Sequence, residues 1–231
     1  MPLTDKIAVI TGATGRLGPV VARVFASHGV RLALSGTSPD ELAATVSNLG
    51  FPSSRIFTAA RDLMDEASAM ALADGVIERY GRADIILHLV GGYQPGGVVG
   101  LPTEAWEYVM NLNLRTYLNV LRAFLPYLTA NGWGRVIALS SVLADKPTAQ
   151  SAAYSAAKAG VEALTLSVAQ EVKDKGVTAN IVVVKTIDTV EERVEGRAGS
   201  ASPEEIADLF LYLCSDEAAP INGALIPVYG R

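Results

Sequence analysis

The chain has 231 residues, half of them apolar and 19% charged, with a mean hydropathy of +0.29. Those proportions exclude a disordered chain and predict a large buried core in one domain spanning 1–231. Twenty-four acidic residues against 19 Lys and Arg leave a net charge of −5 with no like-charge block. This argues against nucleic acid as the main partner and in favour of a small molecule. The single cysteine, Cys214, cannot form an internal disulfide, and no Cys/His cluster has metal-ligand spacing, so no metal is expected. Met1–Ile10 lacks a cleavable leader pattern, and the uncharged stretch Ile85–Thr103 carries five glycines and two prolines, too many for a membrane helix. The expectation is a cytoplasmic protein with no membrane partner.

Short apolar or β-branched runs alternate with segments of helical periodicity. Strands are predicted at Ile7–Thr11, Arg31–Ser35, Arg55–Ala59, Asp84–Val90, Arg135–Ser140, Val177–Val184 and Ala224–Val228. In the first helix Leu17, Val20, Val21, Val24 and Phe25 form one stripe that must lie against a sheet, and Gly29 stands where a C-terminal cap belongs. Strands that are apolar throughout, such as Ile85–Leu89 and Ile181–Val184, require cover on both faces. The pattern predicts a doubly wound α/β fold of the Rossmann type, a parallel sheet of about seven strands with helices on both faces. Ligands then bind at the carboxyl ends of the strands. Trp106, Tyr108, Leu112 and Leu121–Leu125 read as one long apolar helix, and Cys214, among leucines and Phe210, reads as core.

The first strand runs into Thr11-Gly12-Ala13-Thr14-Gly15-Arg16-Leu17-Gly18, which opens the first helix. Glycines there let backbone amides approach a pyrophosphate at the helix N-terminus, so a dinucleotide is favoured over an ordinary turn. The second strand ends in Ser35-Gly36-Thr37-Ser38, without the carboxylate that would bind a ribose 2′-hydroxyl and repel a 2′-phosphate. Hydroxyls at Thr37 and Ser38 with the charge of Arg16 favour NADP over NAD. Further along, Tyr154 and Lys158 stand one helical turn apart, and an ammonium on the same face is expected to lower the phenol pKa.

The glycine turn at 12–18, Ser141 thirteen residues before Tyr154, and the Tyr154/Lys158 pair together resemble the short-chain dehydrogenase/reductase family over nearly the whole chain. The resemblance implies a catalytic tetrad of Asn113, Ser141, Tyr154 and Lys158. Tyr154 would be the general acid, Ser141 would bind the same carbonyl oxygen, Lys158 would hold the nicotinamide ribose, and Asn113 would hold a proton-returning water. Asp62 and Leu63 match the adenine side, Val90 and Gly91 the end of strand four, and Ile187, Asp188 and Thr189 the nicotinamide loop. Pro203–Ala207 matches the start of the last major helix. A homodimer or homotetramer is the family's habit, and the implied substrate is a ketone, aldehyde or 3-oxoacyl carbonyl compound.

The chain also departs from the family pattern. Arg16 replaces the usual middle glycine, His88-Leu89-Val90-Gly91 replaces Asn-Asn-Ala-Gly, and Val184-Lys185 replaces Pro-Gly. His88 reads as a packed structural histidine, whereas Lys185 is either an exposed loop lysine or a contact for cofactor phosphate. Only 17 residues separate Lys185 from Pro203, giving a short lid near 186–202. Its mixed charges, Glu191, Glu192, Arg193, Glu195 and Arg197, read as solvated and mobile. Val90-Gly91-Gly92-Tyr93 and the Gly12/Gly15/Gly18 spacing resemble the dihydropteridine reductase branch, where Tyr93 would stack on a flat substrate. Ser141 and the missing acid after strand two count against that branch. A dinucleotide-binding scaffold without turnover is the third reading.

Overall fold

The structure, a computed structural model, describes residues 3–187 and 201–230. Seven strands form one sheet: β1 (Ile7–Thr11), β2 (Arg31–Gly36), β3 (Ile56–Ala60), β4 (Ile85–His88), β5 (Gly134–Ser141), β6 (Val177–Val184) and β7 (Leu225–Val228). Every pairing is parallel and the order is β3-β2-β1-β4-β5-β6-β7. The order reverses between β1 and β4, so the connections leaving these strands diverge to opposite sides and open a crevice above their carboxyl ends.

Strand periodicity divides the core in two. Ala8 and Ile10 of β1 pack on one face of the sheet and Ile7 and Val9 on the other. The first face is covered by α1 (Gly18–Ser27), α2 (Pro39–Leu49) and α8 (Pro203–Cys214) through Phe25, Leu42 and Phe210. The second is covered by α3 (Glu66–Tyr80), α5 (Thr116–Ala130) and α7 (Ala152–Glu171) through Leu72, Phe124 and Val161. Each such fully buried Phe or Leu contributes on the order of 2 kcal/mol of transfer free energy. Cys214 is buried in the first layer, as its leucine-rich surroundings require.

Local chemistry sets the helix ends. Ser38 caps α2 by accepting from the Glu41 amide at 3.3 Å, with Pro39 next. Ser202 and Glu205 form a reciprocal capping box at α8. Gly29, at φ +80° just beyond α1, occupies the left-handed position assigned to it.

Two expectations need correction. The fourth strand is Ile85–His88 rather than Asp84–Val90. Asp84 turns its carboxylate inward to accept from the Ile7 amide at 2.8 Å, and beyond His88 the chain leaves the sheet toward the crevice. The long apolar helix is also interrupted: α4 (Thr103–Met110) and α5 are joined by a π turn over Asn111–Arg115. Such single turns insert an extra residue into a helix and re-aim the side chains within it. Here they include Asn113. A four-residue helix, α6 (Val142–Asp145), follows β5.

Candidate active site

The crevice above β1, β2 and β4–β6 consists of two adjoining cavities of about 450 and 440 Å³ that share Gly12, Gly15, Leu89 and Gly91. Gly12 has φ +69°, and a Cβ there would stand 2.9 Å from the Leu89 carbonyl carbon, so only glycine lets the bend lie against the end of β4. The first cavity is lined by Thr14, Gly36, Thr37, Asp62, Leu63 and Val90. The second is lined by Arg16, Leu17, Gly18, Tyr93, Ser141, Tyr154, Lys158, Lys185 and Ile187. Residues spread over the sequence from 12 to 187 thus converge because they sit at the same end of parallel strands.

Tyr154 and Lys158 project from the first turns of α7, and the Lys158 ammonium lies 5.8 Å from the Tyr154 ring centre. The ammonium donates to the Leu139 carbonyl of β5 at 2.9 Å. Burial lowers its pKa from an ordinary 10.5 to about 8, against the opposing field of Glu162. The expected lowering of the phenol pKa is not found. Burial raises it, because the phenolate loses more hydration than the Ser141 hydroxyl restores. Tyr154 is therefore a protonated phenol near neutral pH. Ser141 ends β5, and its hydroxyl also accepts from the Leu143 amide at 3.2 Å to cap α6. Tyr93, half exposed, stands edge-on to Tyr154 with ring centres 5.3 Å apart, its hydroxyl donating to the Gln150 carbonyl at 2.9 Å.

Asn113 is fully buried in the π turn, where its amide donates to the carbonyls of Gly92 and Val109 and its Oδ1 accepts from the Gly92 amide at 3.1 Å. One amide proton thus holds the Gly91–Gly92 turn, and the other bonds back to Val109 of α4. A Cβ at Gly91 would stand 2.6 Å from Asn113 Oδ1 and 3.1 Å from Lys158 Nζ, which explains glycine at this close approach.

Other expected residues lie elsewhere. Thr11 is buried and turns its hydroxyl to His88 Nδ1 at 2.9 Å, while Ser38 caps α2; neither lines the crevice. His88 is buried against the Tyr117 ring, with Thr116 at its other nitrogen. Burial first, and then the Lys158 ammonium, push its pKa down to about 3, so it is a neutral packing group as read from the sequence. Lys185 is exposed at the mouth of the second cavity. Asp188, Thr189 and the charged lid run lie outside the described residues.

Several lining residues were not foreseen. Ser35, Arg61, Met64, Tyr108 and Thr116 line the first cavity, and Leu139, Ser140 and Thr186 the second. Arg61 had a signal, being a cation directly before Asp62 at the end of β3. The apolar residues had none. No group of three His, Cys, Asp or Glu is placed to hold a metal, and no helix is long and apolar enough to cross a membrane, among the described residues.

A crevice at the reversal point of a parallel sheet, with a glycine bend on one side and a Ser-Tyr-Lys cluster on the other, defines an enzyme of the dinucleotide-binding α/β class. Comparison with known proteins narrows the class. Residues 6–197 match the short chain dehydrogenase family, and the chain belongs to it. It is 29% identical to D-beta-hydroxybutyrate dehydrogenase of Rhizobium meliloti, with 97% of each chain covered. It is 30% identical to the 3-oxoacyl-(acyl-carrier-protein) reductase FabG of Pseudomonas aeruginosa, covering all of this chain and 98% of that one. A short chain dehydrogenase from Bacillus anthracis superposes with a TM-score of 0.89 at 29% identity, over 97% of this chain and 95% of the other. The chain is thus an oxidoreductase of the short-chain dehydrogenase/reductase family.

Proposed function

We propose that the protein is a single-domain NADPH-dependent reductase that converts a small ketone, aldehyde or 3-oxoacyl compound to an alcohol. The observation that carries this reading is the convergence of Ser141, Tyr154 and Lys158 on one cavity that continues past the glycine bend. The names of the Pseudomonas and Rhizobium relatives support a carbonyl or its alcohol as the substrate.

The crevice fits a nicotinamide dinucleotide. The Ser35 hydroxyl, fully buried at its wall, has no partner within the protein, and the bend at Gly12 keeps a path clear past the end of β4. Thr14, Gly15 and the N-terminal turn of α1 would hold the pyrophosphate, and Asp62, Leu63 and Val90 would flank the adenine. Arg16, Thr37 and Arg61 would meet a 2′-phosphate, while Lys158, Ile187 and Lys185 would hold the nicotinamide side. When bound, the reduced cofactor supplies the hydride.

The protein's own part is proton supply and charge stabilisation. The Tyr154 phenol, kept protonated by burial, donates its proton to the carbonyl oxygen as negative charge builds there. The Ser141 hydroxyl donates a second hydrogen bond to the same oxygen. Lys158 places a cation beside the phenol and stabilises the phenolate left after transfer. Asn113 fixes the Gly91–Gly92 turn that passes close to the Lys158 ammonium.

A second reading has its own observation. The Tyr93 ring, standing edge-on to Tyr154, gives the cavity an aromatic wall suited to a planar substrate such as a quinonoid dihydropterin. A homodimer or homotetramer fits the largely apolar groove between α5 and α7, lined by Leu118, Leu121, Leu125 and Leu164.

The deciding experiment is a fluorescence titration with NADPH and NADH, followed on the same sample by panels of carbonyl and pterin acceptors. Tighter binding of NADPH and turnover of carbonyls are expected. A sample that binds neither dinucleotide defeats the reading, and turnover confined to planar acceptors favours the second.

A further inference from the structure

The helix that carries Tyr154 and Lys158 carries a third polar group on the same face. Glu162 follows Lys158 by four residues, as Lys158 follows Tyr154, so the three stand one above another along α7. The Glu162 Oε1 accepts a hydrogen bond from the Ser140 hydroxyl at 2.6 Å, a short bond of the charge-assisted kind. Ser140 is 1% exposed, so the bond is shielded on the strand side, while Glu162 itself is half-buried. The position of Ser140 in β5 matters more than its own chemistry. The residue before it, Leu139, supplies the carbonyl that receives the Lys158 ammonium, and the residue after it is Ser141.

We propose that Glu162 is a positioning residue of the reductase site: it clamps the strand segment Leu139–Ser141 to the helix bearing Tyr154 and Lys158, and supplies the counter-charge for the buried Lys158 ammonium. The clamp fixes the donor, the acid and the ammonium relative to one another through one bond between two elements.

The charges around it are consistent with this role. Lys158 is buried on the cavity side, and the Glu162 carboxylate favours its charged form against the desolvation that disfavours it. Partial burial, with the charge of Asp145 of α6, raises the Glu162 pKa above the usual carboxylate range, whereas the Ser140 hydrogen bond and Lys158 act to keep it ionised. From β4, His88 is neutral and contributes no charge to the pair. Tyr154, on the same helix, is a neutral phenol. A residue that served only to dock the helix would need none of this placement; a leucine would suffice.

This inference rests on the reductase reading for its catalytic half, but its electrostatic half can be tested on the cofactor-free protein. With lysine carrying carbon-13 at Cε, the Lys158 resonance, assigned by its loss in Lys158→Arg, is titrated by NMR in the parent and in Glu162→Gln. The glutamine keeps an acceptor for Ser140 and removes the charge. The midpoint of Lys158 is expected to fall by roughly half a pH unit or more in the variant. In turnover assays the alkaline limb of kcat should move to lower pH by a similar amount, with KM for the carbonyl substrate nearly unchanged. Ser140→Ala gives an independent arm: released from its anchor, the carboxylate turns to solvent and the midpoint falls in the same direction. An unchanged Lys158 midpoint in both variants, with stability alone reduced, overturns the proposal and leaves Glu162 a helix-docking group. A parent that fails to turn over any carbonyl defeats the reductase reading instead, and the NMR result still stands or falls by itself.

Discussion

The two ends of the sheet use buried charge differently. At the amino end, Asp84 accepts from the Ile7 amide and from Arg82, and Trp133 Nε1 donates to Asp216 at 3.0 Å. Arg135, 2% exposed, donates to the carbonyls of Gly134, Gly176 and Ser215 and lies over the Trp133 ring, as does Lys6. These charges are tied to backbone carbonyls, a ring and an acid; Arg135 Nε and the Thr178 and Ser215 hydroxyls are buried there without a partner, but none of them lines the crevice. At the carboxyl end, Lys158 has one carbonyl and a carboxylate one turn away, and Ser141, Tyr154 and Ser35 face open space. A polar group costs stability when its burial is only partly compensated, and where the group faces the crevice that same incompleteness leaves it available to a ligand. The contrast assigns structure to one end and chemistry to the other.

Substitutions at the two ends should therefore separate turnover from stability. The largest effect is expected for Tyr154→Phe, which removes the proposed proton donor and keeps the ring beside Tyr93. Turnover should drop roughly 10²- to 10⁴-fold while NADPH affinity changes little, as steady-state rates and fluorescence titration will show. Near-normal turnover would move the acid elsewhere.

Lys158→Met tests the claim that the carboxyl end carries a stability cost. The buried ammonium has its pKa lowered from 10.5 to about 8, so the unfolded chain binds more protons between those values and parent stability rises with pH across that window. The methionine variant should be more stable than the parent by about 2 kcal/mol at pH 7, although inactive, with the gap closing from pH 8 to 10.5. Urea melts at a series of pH values measure this. A variant less stable than the parent at every pH contradicts it.

At the amino end the signs reverse. Arg135→Met should lose roughly 1–2 kcal/mol of stability with no change in dinucleotide affinity. A parallel loss of NADPH binding would show that the two ends are coupled. The smallest effect is expected for Arg16→Ala, which should narrow the NADPH-over-NADH preference by about tenfold; equal affinities in the parent would remove the basis for it.

Much of this architecture was legible along the chain. The runs Ile7–Thr11 and Val177–Val184 are strands with those bounds, because each is a mostly apolar run buried on both faces and is flanked by a lysine and a glycine, Lys6 and Gly12 for the first and Gly176 and Lys185 for the second. Gly12, Tyr154 and Lys158 were legible because each needs a particular residue type at a fixed spacing. Where the reading fell short, distant contacts decided. Asp84 looks like the first residue of a strand until the Ile7 amide is found beside its carboxylate. The helix from Thr103 to Ala130 looks continuous until Asn113 is seen bonded to Gly92, twenty-one residues earlier, with a π turn placing it there. Thr11 opens the glycine-turn run expected to bind the cofactor, but its hydroxyl faces His88.

The sequence alone determined the alternation of strands and helices, the glycine bend and the one-turn spacing of phenol and ammonium, since all three follow from short-range periodicity and backbone sterics. Only the tertiary structure decided which polar groups are satisfied and which are left facing the crevice. It also decided that burial, rather than the nearby ammonium, controls the proton on Tyr154. Hydration is lost to whatever packs around a group, and those neighbours come from strands and helices far away in the chain.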